Sequence, residues 1–242
     1  MISSKNFLQT LTALCLFIAL NAGSGVQEAE AVPILELSSG GTIITITDET
    51  AGDGSNGMPG VVSWSGNIGV FGINFTAGVS KPMLGQANAP QMHLNSFHVS
   101  TTGSGSLTVK FTDTDFTLPL ASGLDQFTSA IGGSTTATVD FFRTYFDETN
   151  TAFGQGTQLA SLGPYAGGLF APQFSGHSAT GLLPLNSPYS LTMVAQITHS
   201  AAGQSTSFDA NLIANPEPAT IMLLGSGLIG LGLWRWKAGL KR

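Results

Sequence analysis

Cysteine is all but missing from this sequence. The one example, Cys15, lies in an apolar run near the N-terminus, so a chain trimmed of that run would hold no thiol. Disulfide staples and thiol nucleophiles are then excluded, and stability has to come from size and packing. Charge is scarce too, at 9 % of residues. Cations are the scarcest of all. Between Val32 and Ala214, Lys81, Lys110 and Arg143 stand against eleven acids, which leaves that segment at −8. A nucleic-acid binder needs a basic stripe to neutralise phosphates, so no nucleic-acid partner is expected. The same segment has no sustained helical period and no G-x-S-x-G, H-E-x-x-H or phosphate loop.

What the chain does have is Gly (31 residues), Phe (15) and many Ser and Thr. That mix suits short strands, tight turns and a real apolar core, and it argues against disorder. From Val32 to Ala214 apolar and polar residues alternate with period two, broken by Gly, Asn and Pro. "ILELSSGGTIITITD" reads as a hairpin around Gly40-Gly41. "VVSWSGNIGVFGINFTAG" reads as a short and a longer strand, with Ile73 and Phe75 on one face. "QMHLNSFHVSTTGSGSLTVKFTDTDFTL" reads as another hairpin, turning at Gly103-Ser104-Gly105, with Leu107, Val109 and Phe111 inward. "TTATVDFFRTYFD" and "PYSLTMVAQITHS" are strong strands. "STSFDANLI" puts Phe208, Ala210 and Leu212 on one face. The Gly- and Pro-rich stretch from Ala152 to Pro188 predicts long loops with short edge strands. About ten strands at short intervals predict an all-β fold, an antiparallel β-sandwich of jelly-roll type. No repeat and no long linker divides the body, residues 32–214.

The two ends read as addresses. Lys5 precedes an apolar core, Leu11 to Leu20, and Ala29-Glu30-Ala31 offers an A-x-A cleavage site. Residues 1–31 are therefore expected to be a signal peptide. Cleavage after Ser24 and an uncleaved anchor are the alternatives. A lipoprotein is excluded because Leu14 stands before Cys15. At the other end, Ala219 to Trp234 is uncharged. As a helix it would span ~24 Å at ~1.5 Å per residue, against a hydrocarbon core of ~30 Å. Trp234 and Trp236 suit the interface. Arg235, Lys237, Lys241 and Arg242 form a basic tip expected to stay in the cytoplasm, so residues 219–234 are read as one transmembrane helix. "GSGLIG" within it matches G-x-G-x-x-G, but only twelve residues follow it. A dinucleotide site needs a whole βαβ unit, so these glycines are read as helix-packing residues.

Pro216-Glu217-Pro218 stands just before this run. Pro-Glu-Pro, a short Gly- and Leu-rich helix and a basic tip together resemble the PEP-CTERM sorting signal of Gram-negative bacteria. That motif is also called the ice-binding protein C-terminal domain, a name that is no ground for ice binding here. The resemblance spans residues 215–242. It implies processing by an exosortase, a membrane transpeptidase that would cut near the motif and free or re-attach the body at the cell surface. Proteins with this signal often come from organisms that make exopolysaccharide, so a role in exopolysaccharide association or adhesion is expected. The prolines hold the segment extended and remove backbone donors, as suits a strip lying in a cleft at the membrane surface. The body, through "LELSSGGTIITITD", "LTVKFTDTDFT" and "SLTMVAQITHSAAGQSTSFDANL", also resembles other secreted β proteins with this signal.

Candidate chemistry is sparse. Asp113 and Asp115 should point to one side. With Asp48, Glu49 and Asp53 they could offer oxygen ligands to calcium, although solvated loop acids are the favoured reading and no metal or cofactor is expected. His93, His98, His177 and His199 have no zinc spacing. Asp125, Asp140, Asp147 and Glu148 are the acids a glycosidase would draw on. A sugar-stacking platform would rest on Trp64, Tyr145, Tyr165 and Tyr189. The expected function is a non-catalytic exported surface or matrix protein, with exosortase, the membrane and polysaccharide as partners. A secreted carbohydrate-binding module or glycan hydrolase is the alternative.

Overall fold

A computed structural model describes residues 32–117, 124–168, 171–184 and 186–216. The expected signal peptide, Glu217, Pro218, the apolar run 219–234 and the basic tip lie outside the described residues. Within them the chain forms strands and no helix. In order these are β1 Ile34–Ser39, β2 Thr42–Thr47, β3 Val61–Ile68, β4 Phe71–Val79 and β5 Gly85–Gln86. Then come β6 Ala89–Thr101, β7 Gly105–Phe116, β8 Leu124–Thr135, β9 Thr138–Asp147 and β10 Thr157–Leu162. The last five are β11 Tyr165–Ala166, β12 Gln173–Ala179, β13 Leu183–Pro184, β14 Tyr189–His199 and β15 Ser205–Pro216.

All pairings are antiparallel. One sheet runs β10-β9-β14-β7-β1-β2, with β11 also on β9. The other runs β12-β8-β15-β6-β4-β3, with β13 on β8 and β5 on β6. From β6 onward the strands form nested pairs that alternate between the sheets: β6 beside β15, β7 beside β14, β8 beside β12 and β9 beside β10. This is the order of a jelly roll. Two hairpins, β1-β2 and β3-β4, widen the two sheets.

Local chemistry explains the elements. β1 buries every second residue, and Leu35 and Leu37 are fully enclosed. Gly40 and Gly41 between β1 and β2 both have positive φ, 58° and 83°, as a two-residue turn of the I′ kind requires. Leu107, Val109 and Phe111 point inward from β7, as expected, and meet Phe208, Ala210 and Leu212 of β15 in one core cluster. The Gly103 to Gly105 turn behaves differently from expectation. β6 and β7 do not pair, because they lie in opposite sheets, so this turn is an arch over the core rather than a hairpin. Ile73 and Phe75 also part company: Ile73 is buried and Phe75 is 43 % exposed. A register irregularity between β3 and β4, at Trp64/Gly66, breaks the alternation there. The stretch after Ala152 does supply edge strands, β10 and β12, one to each sheet.

The strand interior contains a glycine with a steric reason. A Cβ on Gly78 of β4 would stand 2.3 Å from the ring of Phe111 on the opposite sheet. The ring fills the space a side chain would take. Gly78→Ala should therefore destabilise the fold by about 1–3 kcal/mol through overpacking. Phe111→Leu in the same chain should relieve part of that cost. Chemical denaturation of the single and double variants checks this.

Buried hydroxyls and one imidazole join the sheets. Ser129 of β8 and Thr144 of β9 lie 2.8 Å apart across the interior. His199, at the end of β14, places Nε2 2.9 Å from Thr206 Oγ1 on β15, and Thr206 is bonded to Thr135 at 2.7 Å. The His199 ring lies 5.3 Å from that of Phe71, and its Nδ1 has no hydrogen-bond partner among the described residues. Burial holds this imidazole below its ordinary value of 6.5. The unfolded chain takes up a proton near 6.5 and the folded chain does so only at lower pH. Stability from this group is thus complete above 6.5 and lost as pH falls through the depressed folded value. The loss cannot exceed about 1.4 kcal/mol per pH unit. Denaturation curves at about pH 7.5 and about pH 5.5 should show wild type losing more stability than His199→Gln, because the variant lacks the titrating ring.

Candidate functional site

The acids that the sequence grouped together are separated by the fold. Asp113 is fully buried, while Asp115 adopts φ of 58° and turns away. Asp115 exchanges two hydrogen bonds with Asn150, one through its amide and one through Oδ1, at 2.8 and 2.7 Å. Asp113 accepts from Ser80 Oγ at 2.6 Å, from Lys81 Nζ at 2.9 Å and from its neighbour's amide, Thr114 N, at 2.8 Å. Burial pushes this carboxyl up, and Lys81, Ser80 and Thr114 pull it back. Asp48 and Asp53 are buried as well. The reading of these residues as solvated loop acids is thus overturned for Asp48, Asp53 and Asp113. Their partners are distant in sequence or are backbone amides, which sequence patterning does not reveal.

The other candidates disperse too. Tyr189 packs between Phe116 and Phe146, with ring centroids 5.8 and 5.1 Å away. Tyr145 is buried, and Tyr165 stacks on Phe174 at 5.0 Å. Trp64 packs partly against the core. No tyrosine platform exists among these residues. Asp140 accepts from Thr198, Asp147 from the amide and hydroxyl of Thr149, and Glu148 from Asn186. The Asp125 side chain lies outside the description. Among the described residues no three His, Cys, Asp or Glu side chains converge as a metal centre would require.

What the fold does gather is a polar trough on the outer face of the β6-β15-β8-β12 sheet. Residues that leave the core at every second position line up in rungs. One rung is Asn95, Asp209, Gly132 and Ser175. The next is His93, Asn211, Ala130 and His177. Small residues on β8 make the floor. A Cβ on Gly132 would touch only the Phe174 carbonyl at 3.6 Å and Ser175 at 3.9 Å, so nothing fills the space above it. Asp209, 59 % exposed at its side chain, is the central group. It takes His93 Nε2 at 2.8 Å and Asn95 Nδ2 at 3.4 Å on one oxygen, Oδ2. Two depressions of about 210 and 230 Å³ flank it and share it as a lining residue. Phe75 stands on the same face, one strand beyond β6, opposite position 97. The strand that makes the floor, "LDQFTSAIGGST", carries a Gly pair and so few large apolar residues that it gave no strand signal in the sequence.

The trough's strand β15 runs on to Pro216, which pairs with Asp125 of β8. Residues 216–237 match the family described as "PEP-CTERM protein-sorting motif". The chain carries a PEP-CTERM sorting motif. It starts on the last residue of a central strand, with no intervening linker. PEP-CTERM proteins are exported and sorted to the cell surface through an exosortase, and this chain carries that address. No curated protein matches the sequence. Among solved structures the chain is similar to a carbohydrate-binding module, TmCBM27, studied for specific mannan recognition. The identity is 8 %, over 64 % of this chain and 88 % of that one, with a TM-score of 0.28. It is also similar to carbohydrate-binding modules of the β-sandwich superfamily described as promiscuous in specificity, at 10 % identity over 69 % and 65 % of the chains and a TM-score of 0.31. An isomalto-dextranase of Arthrobacter globiformis T6 complexed with panose matches at 11 % identity over 76 % and 30 %, with a TM-score of 0.21. At these scores the likenesses carry no functional argument.

The trough makes its own prediction. Hydroxyl-rich chains are bound by planar amides, carboxylates and imidazoles that offer both donors and acceptors. Asp209→Ala should remove the acceptor that orders His93 and Asn95, and a trough that holds a hydroxyl-rich chain would then lose about tenfold or more in retention, about 1.4 kcal/mol or more. Phe75→Ala should weaken it less. Affinity electrophoresis in gels containing the producing organism's exopolysaccharide measures both.

Proposed function

We propose that this PEP-CTERM protein is a non-catalytic component of the bacterial cell surface or its matrix. An exosortase trims it, and the trough on its outer sheet face holds polysaccharide. The observation that carries the first part is the motif itself, placed directly after β15. The tail 219–234 acts as a temporary membrane anchor, and the cations at 235, 237, 241 and 242 keep its end in the cytoplasm. Pro216, Glu217 and Pro218 form the strip the enzyme reads. Only Glu217 and Pro218 separate the paired strand from the apolar run. The body is then held close against the membrane until it is cut.

A binding role for the trough is favoured over hydrolysis by where the acids sit. Asp209, the exposed acid in the trough, has amide and imidazole neighbours and no second carboxylate among the residues lining the two depressions. Glycoside hydrolysis of the usual kind needs a carboxyl pair ~5–9.5 Å apart.

Sorting is tested by the fate of a tag placed after Arg242. In cells with the exosortase the tag should be lost. In cells without the enzyme, and in Glu217→Ala in either background, it should stay on. Immunoblots of membrane and culture fractions read the outcome. Equal retention in both strains would make the tail a permanent anchor.

A further inference from the structure

The loop between β2 and β3 carries two aspartates that are satisfied on one oxygen only. Asp48 Oδ2 accepts the Gly60 amide at 2.7 Å. Asp53 Oδ1 accepts the amides of Ser55 and Ser63 at 2.8 and 2.9 Å. The remaining oxygens, Asp48 Oδ1 and Asp53 Oδ2, are sealed from solvent and receive no hydrogen bond from the described residues. Both residues are more than nine-tenths buried, at 6 % and 7 % exposure. No ion pair among the described residues reaches either of them. A buried carboxylate oxygen without a donor is costly, and two in one loop call for a positive partner. The two charges also feel each other: after burial itself, repulsion from Asp53 and Glu49 adds to the upward push on the Asp48 carboxyl.

We propose that this loop binds one calcium ion between Asp48 Oδ1 and Asp53 Oδ2. Main-chain carbonyls and water complete the shell. The ligand chemistry is all oxygen, which suits a hard cation, and calcium accepts an irregular shell better than magnesium does. Among the described residues no three acid, thiol or imidazole side chains converge here, so two carboxylates give a low charge count and the affinity falls in the weak class found in extracellular modules. That class matches an exported body. The ion would also brace the loop against the neighbouring turn, where the Ser80 amide donates to the Gly60 carbonyl at 2.9 Å.

The test uses the full-length chain in detergent, stripped with EDTA. Calorimetric titration with calcium chloride should give one site with a Kd of roughly 10⁻⁴ to 10⁻³ M. About 10 mM calcium should then raise the folding equilibrium constant about 10- to 100-fold and lift the melting temperature. Asp53→Asn keeps an oxygen for the Ser55 and Ser63 amides and replaces the unpartnered oxygen with a donor. It should fold, melt no lower than the stripped wild type, and show neither the heat nor the shift. A wild type whose melting ignores calcium and EDTA would overturn the proposal, as would an Asp53→Asn chain that binds calcium equally. Stabilisation by acid but not by calcium would also overturn it, because a proton would then fill the gap.

Discussion

Much of one end of this sandwich depends on a single buried ion pair. Lys81 follows β4 in one sheet and Asp113 sits on β7 in the other, and their side chains are 4 % and 0 % exposed. Lys81 also donates to the Thr114 carbonyl and lies 4.0 Å over the Phe116 ring. Removing two charges from water costs several kcal/mol per ion, so such a pair survives only when its remaining hydrogen bonds are made. Here they are made, by Ser80, by Thr114 and by the ring face. Other contacts at this end lean on the same turn. Gly60 has positive φ, and a Cβ there would stand 2.8 Å from the carbonyls of Ser80 and Lys81. Gly60 in turn donates to Asp48. The arch between β2 and β3 thus rests on the residues that hold Asp113.

The opposite end uses a different joint. β7 pairs with β14 from Tyr189↔Phe116 at one end to His199↔Gly105 at the other. Asp113 lies near the first end and His199 at the second. There, imidazole and hydroxyl groups link β14 to β15 without formal charge. A body that would be free of cysteine once trimmed, and is helix-free in its described residues, therefore joins its two sheets by a largely apolar interior, one buried hydroxyl pair within it and a polar joint at each end. This has a consequence for sorting. β15 pairs on both sides and carries residues of the core, and it leads straight into the sorting motif. Force or processing at the tail therefore acts on a strand that is fixed in place.

The fold class was legible because its cause is local. Alternation in β7 and β15 put the right side chains inward, and the Gly40-Gly41 turn announced its own backbone. The arch at Gly103 to Gly105 was not legible, because a tight turn looks the same whether the next strand pairs or crosses. Phe75 was misplaced by one irregularity that reverses the face of every residue beyond it. β8 was invisible because only Phe127 and Ile131 mark its inward face, and Thr, Ser, Ala and a Gly pair fill the positions between and after them. The sorting motif was legible, since it is a linear signal, and residues 216–237 match it. Lys81 and Asp113 are 32 residues apart, and no pattern along the chain connects them. The trough suffers from the same limit, because its rungs draw one residue from each of four strands.

The dependence of the sheets on the Lys81–Asp113 pair is tested most directly by a double-mutant cycle read by chemical denaturation. Lys81→Met alone strands a buried carboxylate and should cost about 3–5 kcal/mol. Lys81→Met with Asp113→Leu removes both charges and should recover a large part of that loss. A double variant whose destabilisation equals the sum of the two single variants would mean that the two residues act independently, and would contradict the role assigned to the pair.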